Sequence, residues 1–201
     1  KVLPYQLLAT LRALDPAVPY PLREALQEAM EYAVSHVPRF GGHVVICLDV
    51  SSSMRSPVTG YRGSATSAVR CIDVAALVAV AIKCGNPSAC MLPFATRVRD
   101  IALAPRDTIL TNVRRLTDLG GGGTDCAVPL AWLNARQEGV DLVVFVSDNQ
   151  SWERPWPGGR PTRMVRKWTK LKARNPAARL ICIDIQPYGT TQAVEQEDVL
   201  N

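Results

Sequence analysis

The stretch VVICLDVSSSMRSP, residues 44–57, changes character halfway. Val44 to Leu48 is apolar and rich in β-branched residues, the make-up of a strand buried on both faces. Asp49 then opens a run of carboxylate and hydroxyl groups with Ser51, Ser52 and Ser53. A carboxylate at the end of a buried strand is costly unless something pairs with it. Fold and function both hang on what pairs with Asp49.

Two more apolar runs resemble the first, DLVVFVSD (141–148) and ARLICIDIQP (178–187). Helical patterns separate them. The segment from about Thr66 to Lys83 is apolar nearly all round, so it reads as a central helix. RDTILTNVRRLTDL and CAVPLAWLNARQ read as helices on either side of a flexible GGGGT loop (120–124). TRMVRKWTKLKAR reads as an exposed basic helix with Met164, Trp168 and Leu171 turned inward. ACMLPFA (89–95) and RVRDIAL (97–103) read as two short strands forming a hairpin, and VEQEDVLN as an acidic helical turn. Before the first strand, Leu7, Leu8, Leu11 and Leu14 recur at helical spacing, and Pro21 opens a second helix. The expected division is a helical segment over 1–38 and an α/β domain over 39–201, with a mostly parallel sheet covered on both faces.

Composition sets further bounds. Hydrophobic residues make up 47% of the 201 and charged residues 20%, a globular balance. The longest apolar run, nine residues from Val74 to Ile82, is far short of the ~20 needed to span a membrane. The chain opens on Lys1 with no secretory pattern, and reads as a piece of a longer protein or a processed chain. Its formal charge of +5 is unevenly spread. Residues 154–179 hold nine Lys and Arg and no acid, leaving the remainder at −4. Six cysteines form no C-x-x-C pair, which argues against a zinc site. Reduced thiols in a cytoplasmic protein are the expectation, with a Cys84–Cys90 bridge left open.

In parallel sheets of this kind, ligands bind beyond the carboxyl ends of the strands. Asp49 and Asp148 fall at that edge, and so does the loop carrying Thr124. With Ser51 and Ser53 they form a set of five oxygen donors, suited to a hard divalent cation such as Mg²⁺ or Mn²⁺. That cation is the expected partner of Asp49. Only two of the five donors are anionic, so the ion would stay electrophilic toward an incoming carboxylate or phosphate. No His, Cys or Lys in these motifs offers a base or nucleophile, so binding without catalysis is expected. The GGGG run lacks the G-x-x-x-x-G-K-[ST] pattern of a phosphate loop.

DVSSS, GGGGT and FVSD together resemble the metal-ion-dependent adhesion site of von Willebrand factor A domains, a Rossmann-like α/β fold. The resemblance spans about residues 40–190 and assigns the ligand roles to Asp49, Ser51, Ser53, Thr124 and Asp148. It departs at Ser52, where the family often has Gly, so a backbone of positive φ there would be strained. A narrower resemblance is carried by LPYQLLATLRAL, SMRSPVTGYRGSATSAVRCIDVAAL, FVSDNQSW, NPAARLICIDIQPYGTTQA and EDVLN. These are similar to the C-terminal part of bacterial Ro autoantigen (TROVE-module) proteins. That resemblance implies an A domain closing a ring of helical repeats, with residues 1–38 as the last ring helices. It also implies a cytoplasmic ribonucleoprotein that binds Y-like and misfolded RNAs through the ring, with a protein or acidic ligand at the metal site and no membrane partner.

The basic segment invites a reading as an RNA patch. Arg163, Arg166, Lys167 and Lys170 would meet phosphates, and Trp152 and Trp156, just after Asp148, would line a partner's pocket. The competing reading is a solvated helix face with Trp168 in the core. His36 and His43 read as structural. Two other function classes remain: a metal-dependent phosphohydrolase, which would need a base or second metal, and an adhesion-type A domain, which would need an extracellular context.

Overall fold

A computed structural model describes residues 3–63, 67–104, 106–148, 162–186 and 197–200. The three apolar runs become β1 (Val44–Asp49), β3 (Leu142–Ser147) and β4 (Arg179–Asp184). With β2 (Cys90–Phe94) and β5 (Val199–Leu200) they form one parallel sheet in the order β2-β1-β3-β4-β5. Pro93, which cannot donate to a ladder, sits in β2 at the edge of the sheet.

Alternate strand residues point to opposite faces, and each face has its own apolar layer. Val44, Ile46, Leu48, Val144 and Val146 pack toward α1 (Pro4–Ala13), α2 (Tyr20–Val34), α3 (Cys71–Gly85) and α4 (Ile109–Asp118). Val45, Cys47, Phe145 and Leu180 pack toward α5 (Ala127–Arg136) and α6 (Arg163–Arg174). The helix that reads as central is central: ten of the fifteen residues of α3 are buried. It begins later than the periodicity suggests, at Cys71, because Asp73 accepts from the Arg70 backbone N–H and fixes the start there. Thr108 and Thr162 cap α4 and α6 by accepting from Thr111 N and Val165 N.

Two expected elements differ. Residues 97–103 are not a strand: a single bridge joins Val98 to Phe94, and Ile101 and Leu103 leave the sheet to pack on the α1–α4 layer. Their apolarity serves face packing, not a ladder. Near the end, Glu197 and Asp198 form a turn and Val199–Leu200 pair with β4, because Val199 finds a buried place at the sheet edge. All six cysteines are unpaired, so Cys84 and Cys90 are not bridged. Burial pushes the Cys182 thiol up to about 12 and those of Cys47 and Cys126 well above the usual range, consistent with small hydrophobes and not reactive groups.

Candidate metal and ligand site

The chain leaves β1 in one direction to reach β2 and crosses to the other side of β1 to reach β3. Connections diverging from neighbouring strands open a crevice at their carboxyl ends, the usual ligand position in such sheets. Asp49 ends β1 and Asp148 directly follows β3, so both carboxylates stand at this switch point.

Both are removed from water, Asp49 at 0% and Asp148 at 1% exposure. The turn after β1 folds back on Asp49, whose Oδ1 accepts from the Ser51 backbone N–H at 2.8 Å. Its Oδ2 accepts from the Ser147 hydroxyl at 2.7 Å, which ties β1 to β3. The Ser51 and Ser53 hydroxyls stand 3.1 Å apart at the start of a 3₁₀ turn, Ser53–Arg55. Alternate residues of the D-x-S-x-S run therefore gather on one side, as their spacing implies.

The glycine loop is stitched to the same turn. Gly121 N donates to the Val50 carbonyl at 2.8 Å, and Ser52 N donates to the Gly122 carbonyl at 2.9 Å. Gly122 N in turn donates to the Ser52 hydroxyl at 3.0 Å. Gly121 and Gly122 have φ of 132° and 94°, a region that disfavours any side chain, so this close approach requires glycine at both. On the far side, Asp125 N donates to the Ala95 carbonyl. Thr124 is thus held between two anchored points, buried at 8% exposure, and its hydroxyl has no hydrogen-bond partner among the described residues. Ser52 itself has φ −64° and ψ −34°, ordinary helical backbone, so the strain feared for this position does not exist. Its side chain instead contributes a bond glycine could not make.

Burial raises the Asp49 carboxyl from 3.8 to about 6. The Ser51 N–H and hydroxyl and the Ser147 hydroxyl oppose that rise, and the neighbouring Asp148 adds to it. Two adjacent buried carboxylates would be stabilised by a cation or a shared proton. No three His, Cys, Asp or Glu side chains converge among the described residues. A metal here would therefore rely on hydroxyls to complete its shell, and the donor set of two carboxylates and three hydroxyls fits Mg²⁺ or Mn²⁺ better than zinc. Sequence patterning named five candidate donors but not the bonds of Ser147 and Ser52, whose partners lie 98 and 70 residues away.

The basic helix behaves in part as the bland reading has it. Met164, Trp168 and Leu171 are buried, and the Trp168 indole N–H donates to Asp198 at 3.0 Å. Arg166 and Lys170 are exposed and Lys167 is half-buried. Arg163 forms an ion pair with Asp125 at 2.7 Å, next to Thr124, so α6 touches the metal edge at this point. Trp152 and Trp156 lie outside the described residues. His43 is structural, its Nδ1 meeting the Gly139 carbonyl at 2.6 Å.

Residues 43–199 match a family model described as the Ro60 vWA domain, where vWA stands for von Willebrand factor A. The chain belongs to this family. Among curated proteins it is similar to the RNA-binding protein RO60 of Deinococcus radiodurans, 32% identical over 130 residues. That match covers 64% of this chain and 24% of the relative, so the chain spans about a quarter of the relative's length. Among solved structures it is similar to the crystal structure of Deinococcus radiodurans RO (RSR) protein, with a TM-score of 0.70 at 21% identity. That alignment covers 99% of this chain and 40% of the other, an agreement of fold that includes α1 and α2. No helix among the described residues is long and apolar enough to cross a membrane.

Proposed function

We propose that this chain is the cation-binding A domain of a Ro-like RNA-binding protein and acts as a binding module, not an enzyme. Asp49, Ser51, Ser53, Thr124 and Asp148 would hold one Mg²⁺ or Mn²⁺ at the switch-point crevice. An acidic side chain of a protein partner, or an acidic group of the same assembly, would complete the shell. Small Y-like and misfolded RNAs would be bound by the longer protein, with residues 1–38 as its last ring helices. The cytoplasm is the compartment that fits six free thiols. The observation that carries the cation reading is the pair of buried carboxylates at one strand edge, with the Thr124 hydroxyl, in the loop stitched to the same turn, left without a hydrogen-bond partner among the described residues. The RNA reading is supported by the similarity to the RNA-binding protein RO60 of Deinococcus radiodurans.

Calorimetric titration with Mn²⁺ tests the site. One ion should bind per chain, and Asp49→Ala should abolish binding while the circular dichroism spectrum is kept. Equal affinity in that variant would remove Asp49 from the site. Turnover of RNA or a phosphate ester with Mn²⁺, lost in Asp148→Ala, would replace the binding module with a hydrolase.

A further inference from the structure

A second polar cleft lies on the other side of the domain from α6, where α1 and α2 meet α4 and the start of α3. It has a volume of about 350 Å³ and is lined by four arginines, Arg12, Arg23, Arg70 and Arg114. Drug-sized ligands occupy cavities of about 300–1,000 Å³. Asp73, fully buried at the first turn of α3, takes Arg12 Nη2 at 2.7 Å and Arg70 Nη2 at 2.8 Å on the same oxygen. Arg70 Nε reaches its other oxygen at 3.1 Å. One carboxylate therefore answers two guanidiniums, and each guanidinium keeps N–H groups free for another anion.

The other two arginines keep their charge. Arg23 donates to the Val18 and Asp15 carbonyls, which orient it without neutralising it. The Arg114 side chain has no ion pair or hydrogen bond among the described residues; only its backbone carbonyl accepts, from the Thr117 hydroxyl. Asp118 is the second acid of the cleft. Four guanidiniums thus face two carboxylates, and two positive charges are left over. Leu8, Leu11, Leu110 and Val113 supply an apolar wall beside them.

We propose that this cleft binds a phosphomonoester on an apolar or aromatic body, of the size of a mononucleotide. A phosphomonoester carries a charge of about −1.5 to −2 at neutral pH, which matches the surplus. The guanidinium fork suits phosphate oxygens in pairs. A carboxylate would answer only half of the charge. The leucine wall would take the base or sugar. The phosphate can belong to a free nucleotide or to the end of an RNA strand.

The test is titration with adenosine 5′-monophosphate in EDTA, which silences the cation site. The mononucleotide should bind, and adenosine should bind at least about tenfold more weakly. Arg114→Gln, which breaks no side-chain hydrogen bond or ion pair among the described residues, should weaken the mononucleotide about fivefold or more. Arg23→Gln combined with it should remove binding. Asp49→Ala should bind like the wild type, so this result stands or falls apart from the cation reading. A 5′-phosphorylated RNA hexamer binding as tightly as the mononucleotide would assign the cleft to RNA ends; its exclusion would assign the cleft to free nucleotides. Equal affinity for adenosine and its phosphate would overturn the proposal. So would unchanged affinity in a folded double variant, or loss of binding in Asp49→Ala.

Discussion

Asp49 is held as an acid that would rather keep its proton. Burial lifts it from 3.8 to about 6, so the folded chain without a cation holds that proton more tightly than the unfolded chain. The contribution is fully present below pH about 3.8 and is lost as pH rises through about 6, a swing of about 3 kcal/mol. Thermal unfolding in EDTA should therefore show falling stability across that window, and Asp49→Asn should flatten the curve. A bound cation replaces the proton, so its affinity should drop about tenfold for each pH unit below 6. Calorimetry at pH 5, 6 and 7 would measure it. Ser52 makes a separate expectation at the same scale. Ser52→Ala leaves Gly122 N without its side-chain acceptor, which should cost about 1 kcal/mol and loosen the loop that carries Thr124. Urea unfolding and Mn²⁺ affinity should both register it.

Among the elements, the joint between α1 and α3 is the one to break. Asp73 joins them through Arg12 and Arg70, whose side chains are about a third exposed. Asp73→Ala leaves two cations facing each other at a buried position, and a loss of about 2–3 kcal/mol in urea unfolding should follow, discounted for water at both guanidiniums. Nothing in the sequence foretold this joint, because Arg12 and Asp73 are 61 residues apart and no local spacing pairs an arginine with a carboxylate at that distance. The strands were legible for the opposite reason. Short runs rich in Val and Ile, too brief for a helix and bounded by polar or turn residues, suit strands of a covered sheet, so β1, β3 and β4 announce themselves. RVRDIAL is another short segment with apolar residues, yet they cover a face, and local pattern alone does not distinguish the two uses. The carboxylates of the candidate site stood out because they end apolar runs, although Asp and Ser in such places also cap turns and helices. The serines that orient them did not, since a serine in a loop looks the same whether it is bonded or idle.

For the molecule as a whole, charge is divided between two regions. The basic face of α6 lies on the α5 side of the sheet, and the arginine cleft lies on the α1–α4 side. Long RNA should bind the isolated chain only weakly, through α6, with a steep salt dependence. Replacing Arg163, Arg166, Lys167 and Lys170 together by Gln should lower the slope of log affinity against log salt by as much as about 3. Chelation of divalent ions should leave it unchanged. A filter-binding titration on both samples separates these effects. Arg163 contributes to this sum despite its bond to Asp125, because an exposed ion pair of that kind is held by about 1 kcal/mol at most.

The neighbour relations of β1 govern how this chain can be made. Its two partners are β2 and β3, and the bond from Ser147 to Asp49 spans 98 residues. During synthesis at about 5–20 residues per second, β1 and the apolar α3 wait several seconds for β3 to appear. In that interval a largely hydrophobic strand and helix stand without one of their covers. A nascent chain stopped before Leu142 should therefore be captured by chaperones or aggregate, and one extended through β4 should resist protease. The proposed cation site would form only at that moment, so a cation present throughout translation would first meet it as the sheet closes.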